Sequence, residues 1–259
     1  MNPMAGLLGA LRFLTRMPLP GPHDIPHRRV VPWFPLAGAI IGATLGASAV
    51  GLTEILSPLL AATIAVVVGV MLTGAFHEDG LADIADAFGG GWHREQRLTI
   101  LKDSRHGTYG VAALCCSIVV RVAAAATIAG EPHGNAVMFA GFVAAHTLAR
   151  AAAVGVLGFV RPAAPDVQGL GVAAGRELRP LVTIASIAGG VLLVAIATGW
   201  WVGPLAIAAM VGALAVAGLA VRKIGGVVGD VLGAAEQVAE CLVLIAVAGL
   251  AAHHPLWWA

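Results

Sequence analysis

The sequence predicts an all-α integral membrane protein, a polytopic helical bundle of about seven transmembrane helices with its N-terminus in the cytoplasm. Three observations carry that expectation. Of the 259 residues, 59% are hydrophobic, and the mean hydropathy is +0.89. Only 11% are charged, against about 25% in soluble domains. The apolar residues fall into windows of about 20, the length that crosses a bilayer core, and the basic residues between the windows alternate from one side to the other.

The elements follow in chain order. The opening stretch "GLLGALRFLTRMPLP" has a short apolar run interrupted by Arg12 and Arg16. No small-residue cleavage pattern follows it, so it reads as a retained interfacial helix within a cytoplasmic segment, 1–30. Apolar windows then span 33–52, 58–76, 109–129, 135–160, 181–199, 202–221 and 229–250. The connections are too short to build a separate soluble core, so residues 1–259 form one helical membrane domain. The segment 162–180 has room for an interfacial or re-entrant element. Cys115, Cys116 and Cys241 lack metal-ligand spacing and fall inside spans, where they act as small apolar residues.

Thirteen of the fifteen Lys and Arg residues lie outside the spans. They follow spans two, four and six or precede span one, and the segments after spans one, three, five and seven carry none. By the positive-inside rule that alternation places the N-terminus and the 77–108 segment in the cytoplasm.

Residues 76–110, "FHEDGLADIADAFGGGWHREQRLTILKDSRHGTYG", gather six of the fourteen acidic residues and four of the basic ones. Asp79, Asp83 and Asp86 are spaced four and three apart. On a helix they lie within about 60° of one face. Like charges in that register repel, so the row calls for a counter-ion, and oxygen-only ligands suit Mg²⁺ or Mn²⁺. Magnesium is commonly held by one or two carboxylates together with substrate phosphates, which makes phosphate chemistry the leading expectation. His77 and Glu78 stand roughly 160° and 100° from that stripe and are expected to orient neighbours or bind substrate. The alternative is a solvated helix end whose acids balance Arg94, Arg97, Lys102 and Arg105. Downstream, "KDSRHGTYG" supplies Lys102, Asp103, Ser104, Arg105 and His106, then Gly107 before a helix start. Backbone N–H groups there can meet an anion, and Arg105 can fork onto phosphate oxygens.

Arg121, His146, Arg150, Glu236 and Glu240 fall within the spans. Such residues face a bundle interior or a cavity. The i, i+4 pairs His146/Arg150 and Glu236/Glu240 each share a face and can pair across the bundle, a purely structural role. Gly225, Gly229 and Gly233 have small-xxx-small spacing suited to close helix packing. Asp230 adds a carboxylate at the membrane face that carries the first acidic cluster.

In order and spacing, "FLTRMPLP", "FPLAGAIIG", "HEDGLADIAD", "KDSRHGTYG" and "GGVVGDVLGAAE" resemble the signatures of the cobalamin synthase family, the adenosylcobinamide-GDP ribazoletransferases. The resemblance runs from about Phe13 to Glu240. It implies a multi-pass enzyme of the bacterial cytoplasmic membrane with a cytoplasm-facing site. A hydroxyl of α-ribazole, or of α-ribazole 5′-phosphate, attacks the phosphoryl group on cobinamide of adenosylcobinamide-GDP and GMP leaves, with Mg²⁺ required. It implies Asp79, Asp83 and Asp86 as metal ligands or general base with Glu78 and His77 beside them. Lys102, Asp103, Ser104, Arg105 and Gly107 belong to the substrate region, with Asp230 across the site, and the intramembrane Arg150 is a further substrate-binding candidate. Ala87 stands where the family pattern expects glycine, and Val228 where it expects threonine, which leaves that position no ligand role. The lipid bilayer is the expected surrounding, no nucleic acid partner is expected, and homo-oligomerisation stays open.

Two rival classes share part of this pattern. A CDP-alcohol phosphotransferase also sets spaced aspartates at a helix end, but expects a second aspartate pair and an Ala-Arg after the glycine, and "DGLADIADAF" has neither. An ion-coupled transporter would carry matching broken helices in two inverted halves, and no internal repeat is visible.

Overall fold

Helices form where the apolar windows and their breakers place them. The structure, a computed structural model, describes residues 3–20, 25–131, 133–163 and 177–258. In order these are α1 (Pro3–Leu14), α2 (His27–Val30), α3 (Phe34–Thr53), α4 (Pro58–Thr73), α5 (Phe76–Gly90), α6 (Arg94–Ile100), α7 (Thr108–Ala129), α8 (Gly134–Phe159), α9 (Pro180–Thr198), α10 (Val202–Ile224) and α11 (Gly229–Ala251). A short 3-10 turn over Val31–Trp33 joins α2 to α3. Proline opens α3, α4 and α9, the position where its missing N–H costs nothing. Most of the 162–180 segment lies outside the described residues.

By length and composition five helical runs can cross a membrane, and α4 taken with α5 would make a sixth. One of the five, Pro180–Ile224, has 45 residues, about 68 Å if straight, twice a bilayer core of about 30 Å. Gly199 at φ 61° breaks it into α9 and α10, and both pack on α8. The described residues are thus a helical membrane bundle, and each apolar window but the second, which is broken at Gly74 and Ala75, coincides with one helix.

The bundle is built around α8. Of its most apolar window 83% is buried, against 28% for α7, because α3, α9 and α11 all lie against it. Small residues allow the closest of these approaches. A side chain on Gly38 or Gly42 of α3 would collide with the carbonyls of His146 and Phe142 on α8. The outward faces of α4, α9 and α10 keep Leu59, Met71, Leu192, Ile196, Met210 and Leu214 exposed, as a lipid-facing surface would.

The second window does not run on as one straight helix. It stops at Gly74 and Ala75, both left-handed at φ 66° and 57°, and α5 leaves at 90° to α4. Gly74 N–H and Ala75 N–H turn back onto the carbonyls of Met71 and Val70, a Schellman-type ending that favours glycine at its left-handed residue. The bend lays α5 across the end of the bundle, against α7 and α11. There α5 crosses α11 closely, with Gly80 over the backbone of Asp230 and Gly233 against that of His77. Of the three glycines expected to pack helices, Gly233 does so. Gly225 instead makes the turn after α10 at φ 89°, and Gly229 faces open space.

Candidate active site

The three aspartates of α5 do two different things. Asp79 and Asp83, one turn apart, meet His106 from the loop before α7. His106 Nε2 lies 3.6 Å from Asp79 Oδ1, and its Nδ1 lies 3.5 Å from Asp83 Oδ1. One donor atom from each of the three residues lies within 4.8 Å of the others. Burial, and then the neighbouring Asp79 charge, push the Asp83 carboxyl up to about 6.

Asp86 is engaged elsewhere. Its Oδ2 accepts the Gly107 N–H at 2.6 Å and its Oδ1 accepts the Gly110 N–H at 2.9 Å. The carboxylate therefore sits on the N-terminus of α7, where unpaired N–H groups and the helix dipole favour a negative charge. Any side chain at Gly107 or Gly110 would run into it, which explains both glycines of "KDSRHGTYG". The row of three is thus split: the structure brings Asp79 and Asp83 together with His106, and does not bring Asp86 into that group.

The rest of the loop faces solvent. Lys102 and Ser104 are exposed. Arg105 forks onto Asp103, donating from Nη2 to Oδ2 at 2.7 Å and from Nε to Oδ1 at 3.0 Å. Those hydrogen bonds hold the Asp103 carboxyl down at about 2. The loop is anchored from behind by α6. Arg94 donates to the carbonyls of Ile224 and Ala163, Arg97 to that of Lys223, and Lys223 to that of Phe88. The Ile224 and Lys223 carbonyls are at the C-terminal end of α10, orphaned groups that cationic side chains satisfy, and the other two contacts tie that end to Ala163 and to α5.

His77 and Glu78 point the other way, into the bundle. Glu78 accepts from Arg121 at 3.0 Å, and Arg121 also donates to Glu240 at 3.2 Å. His146 Nδ1 lies 3.0 Å from Glu240, Arg150 pairs with Glu236, and His77 stands 3.5 Å from Glu236. Gln237 donates to Glu236 and accepts from Ser117. The intramembrane charges thus close on one another as one buried network, and α5 is pinned to it through residues 77 and 78.

Between network and cluster lies a cavity of about 270 Å³. Asp79, Asp230, His77 and Arg150 line it together with aromatic and aliphatic side chains of α1, α3 and α8. Asp230 and Asp79 therefore face one space, although they come from opposite ends of the chain. His106 is the member that sequence reading left out of the site. It stood inside the quoted motif, but nothing in the spacing of a loop tells which side chain turns back onto α5.

Asp79 and Asp83 suit a hard divalent cation, which takes one or two carboxylates and leaves its other positions to water and phosphate. Imidazole is not a donor Mg²⁺ seeks, so His106 fits beside such an ion rather than on it.

Fold and site together define a polytopic membrane enzyme with its polar chemistry gathered at one end of a helical bundle. Its particular kind comes from comparison with known proteins. The family model for cobalamin-5-phosphate synthase matches residues 6–248, and the chain belongs to that family. Similar proteins named adenosylcobinamide-GDP ribazoletransferase occur in Azorhizobium caulinodans, 40% identical over 94% of this chain and 95% of that one, and in Bradyrhizobium diazoefficiens, 39% identical over 95% and 94%. Another, from Ralstonia pickettii, is 36% identical over 91% of each. No solved structure matches the chain.

Proposed function

We propose that this chain joins adenosylcobinamide-GDP to α-ribazole, or to its 5′-phosphate, giving adenosylcobalamin or its phosphate and GMP. A ribazole hydroxyl oxygen forms a bond to the phosphorus attached to cobinamide. The bond from that phosphorus to the diphosphate bridging oxygen breaks, and GMP departs with its electron pair. The hydroxyl proton passes to a base on the protein. The site faces the cytoplasm of a bacterial cell membrane, on the side where the basic loops collect.

The observation that carries this reading is the Asp79, Asp83 and His106 cluster, which shares Asp79 with an adjoining cavity. Asp79 and Asp83 would hold Mg²⁺, which when bound supplies positive charge to the diphosphate oxygens. His106, against both carboxylates, takes the hydroxyl proton. Asp86 fixes the His106 loop by capping α7. Lys102 and Arg105 stand in solvent on that loop, free to meet phosphate oxygens once Asp103 releases Arg105. His77 and Glu78 set the position of α5 through the buried network, and Arg150 and Asp230 face the substrate from the cavity wall.

Purified protein in lipid, given adenosylcobinamide-GDP, α-ribazole and Mg²⁺, should release GMP. Asp83→Asn should lower that release by more than about 100-fold, the upper end of what loss of an outer partner of a metal ligand costs. A folded protein that releases no GMP under these conditions defeats the proposal.

A further inference from the structure

We infer that the cavity beside Asp79 is the seat of the nucleoside acceptor's base, a bicyclic aromatic of the dimethylbenzimidazole type, with its ribose directed at the Asp79 and Asp230 end. This rests on the transferase reading above and names which part of which substrate the cavity takes. Three observations carry it.

The first is the wall. Phe13 stacks on Phe34 with centroids 5.4 Å apart and meets Phe76 edge-on at 5.3 Å, and His27 completes this aromatic side at 6.3 Å from Phe13. Val31, Val154 and Leu157 close the apolar end. Flat aromatic ligands gain from stacked and edge contacts of this kind.

The second is polarity. Asp79, Asp230, His77 and Arg150 line one part of the cavity and His27 stands on its aromatic side, while the end closed by Val31, Val154 and Leu157 offers no hydrogen-bonding side chain. Guanine carries donors and acceptors around its edge that would be left unpaired there, a penalised state. The methyl-bearing carbocycle of a dimethylbenzimidazole has none. A sugar, by contrast, belongs at the carboxylate end.

The third is size. About 270 Å³ lies just below the usual range of ligand sites, about 300–1,000 Å³. It admits one bicyclic base with part of its sugar, and excludes a corrin macrocycle. Because Asp79 belongs both to this cavity and to the cluster with Asp83 and His106, a base seated here brings its ribose hydroxyls to the reacting centre. The macrocycle must then approach from outside.

The test is binding of free 5,6-dimethylbenzimidazole to the full chain in nanodiscs, read by ligand-observed NMR and therefore independent of turnover. Wild type should bind it, α-ribazole should displace it, and GMP should not. Val154→Phe, which fills the cavity, should weaken that binding at least tenfold while leaving Mn²⁺ binding unchanged. Phe76→Ala, at an exposed position, removes one aromatic wall and should weaken it severalfold, and serves if the first variant does not fold. In turnover both variants should raise KM for α-ribazole and leave KM for adenosylcobinamide-GDP within twofold. Displacement by GMP, or a rise confined to KM for adenosylcobinamide-GDP, assigns the cavity to the other substrate and overturns the inference while the transferase reading stands. Binding of the base without GMP release would instead leave the inference standing and count against that reading.

Discussion

Asp83 is where the chemistry of this site can be read at a single residue. Burial and the Asp79 charge keep its proton on to about pH 6, above the usual carboxylate range, and a cation must displace that proton to bind. For the proposed cation the sign follows directly: binding would reach full strength about a unit above pH 6 and weaken as the pH falls, by about tenfold per unit while one proton competes. Mn²⁺ titrations followed by EPR between pH 5 and 8 should show that fall, and a flat profile would contradict the assignment. The Asp79/Asp83 register was legible in the sequence, because helical periodicity alone puts residues four apart on one side. The fates of Asp86 and His106 were not. Asp86 is claimed by N–H groups 21 and 24 residues downstream, and that contact depends on how a loop folds over α5, which no local pattern encodes. The same holds for Arg105, whose nearest partner is its neighbour Asp103.

At the scale of elements, the windows read from hydropathy coincide with the helices because burial in lipid demands the same length and apolarity whatever the packing. Their relative placement was less legible. The right-angle turn at Gly74 and Ala75 sits inside an apolar run, and a non-glycine residue such as Ala75 accepts a left-handed conformation only at a cost of about 1–2 kcal/mol, so composition gives little warning. The closeness of α3 to α8 was equally hidden, although "FPLAGAIIG" holds its cause: Gly38 and Gly42, one turn apart, have no side chain to keep α8 away. Gly42→Val should therefore separate these helices and cost about 1–3 kcal/mol through overpacking, measured by SDS-driven unfolding. Gly229→Ala faces open space and serves as the near-neutral control.

Across the whole molecule, a buried network of opposite charges links the membrane interior to α5. Arg150 and Glu236 are 1% and 0% exposed, so removing one partner strands the other. Arg150→Ala should destabilise the fold by about 3–5 kcal/mol, and Arg150→Met combined with Glu236→Gln should recover much of that loss. Equal losses in the single and double variants would show that the pair is not what holds the bundle there. The i, i+4 spacing of His146/Arg150 and Glu236/Glu240 announced this pairing, whereas the arrival of Glu78 and His77 from α5 depended on the bend. Asp79 and Asp83, and not Asp86, are proposed to hold the divalent ion. The direct measurement is Mn²⁺ bound per protein in nanodiscs, by EPR, for wild type, Asp83→Asn and Asp86→Asn. A tight site present in wild type and Asp86→Asn and lost in Asp83→Asn is the predicted result. Mn²⁺ binding unchanged in Asp83→Asn, or abolished in a folded Asp86→Asn, would contradict it.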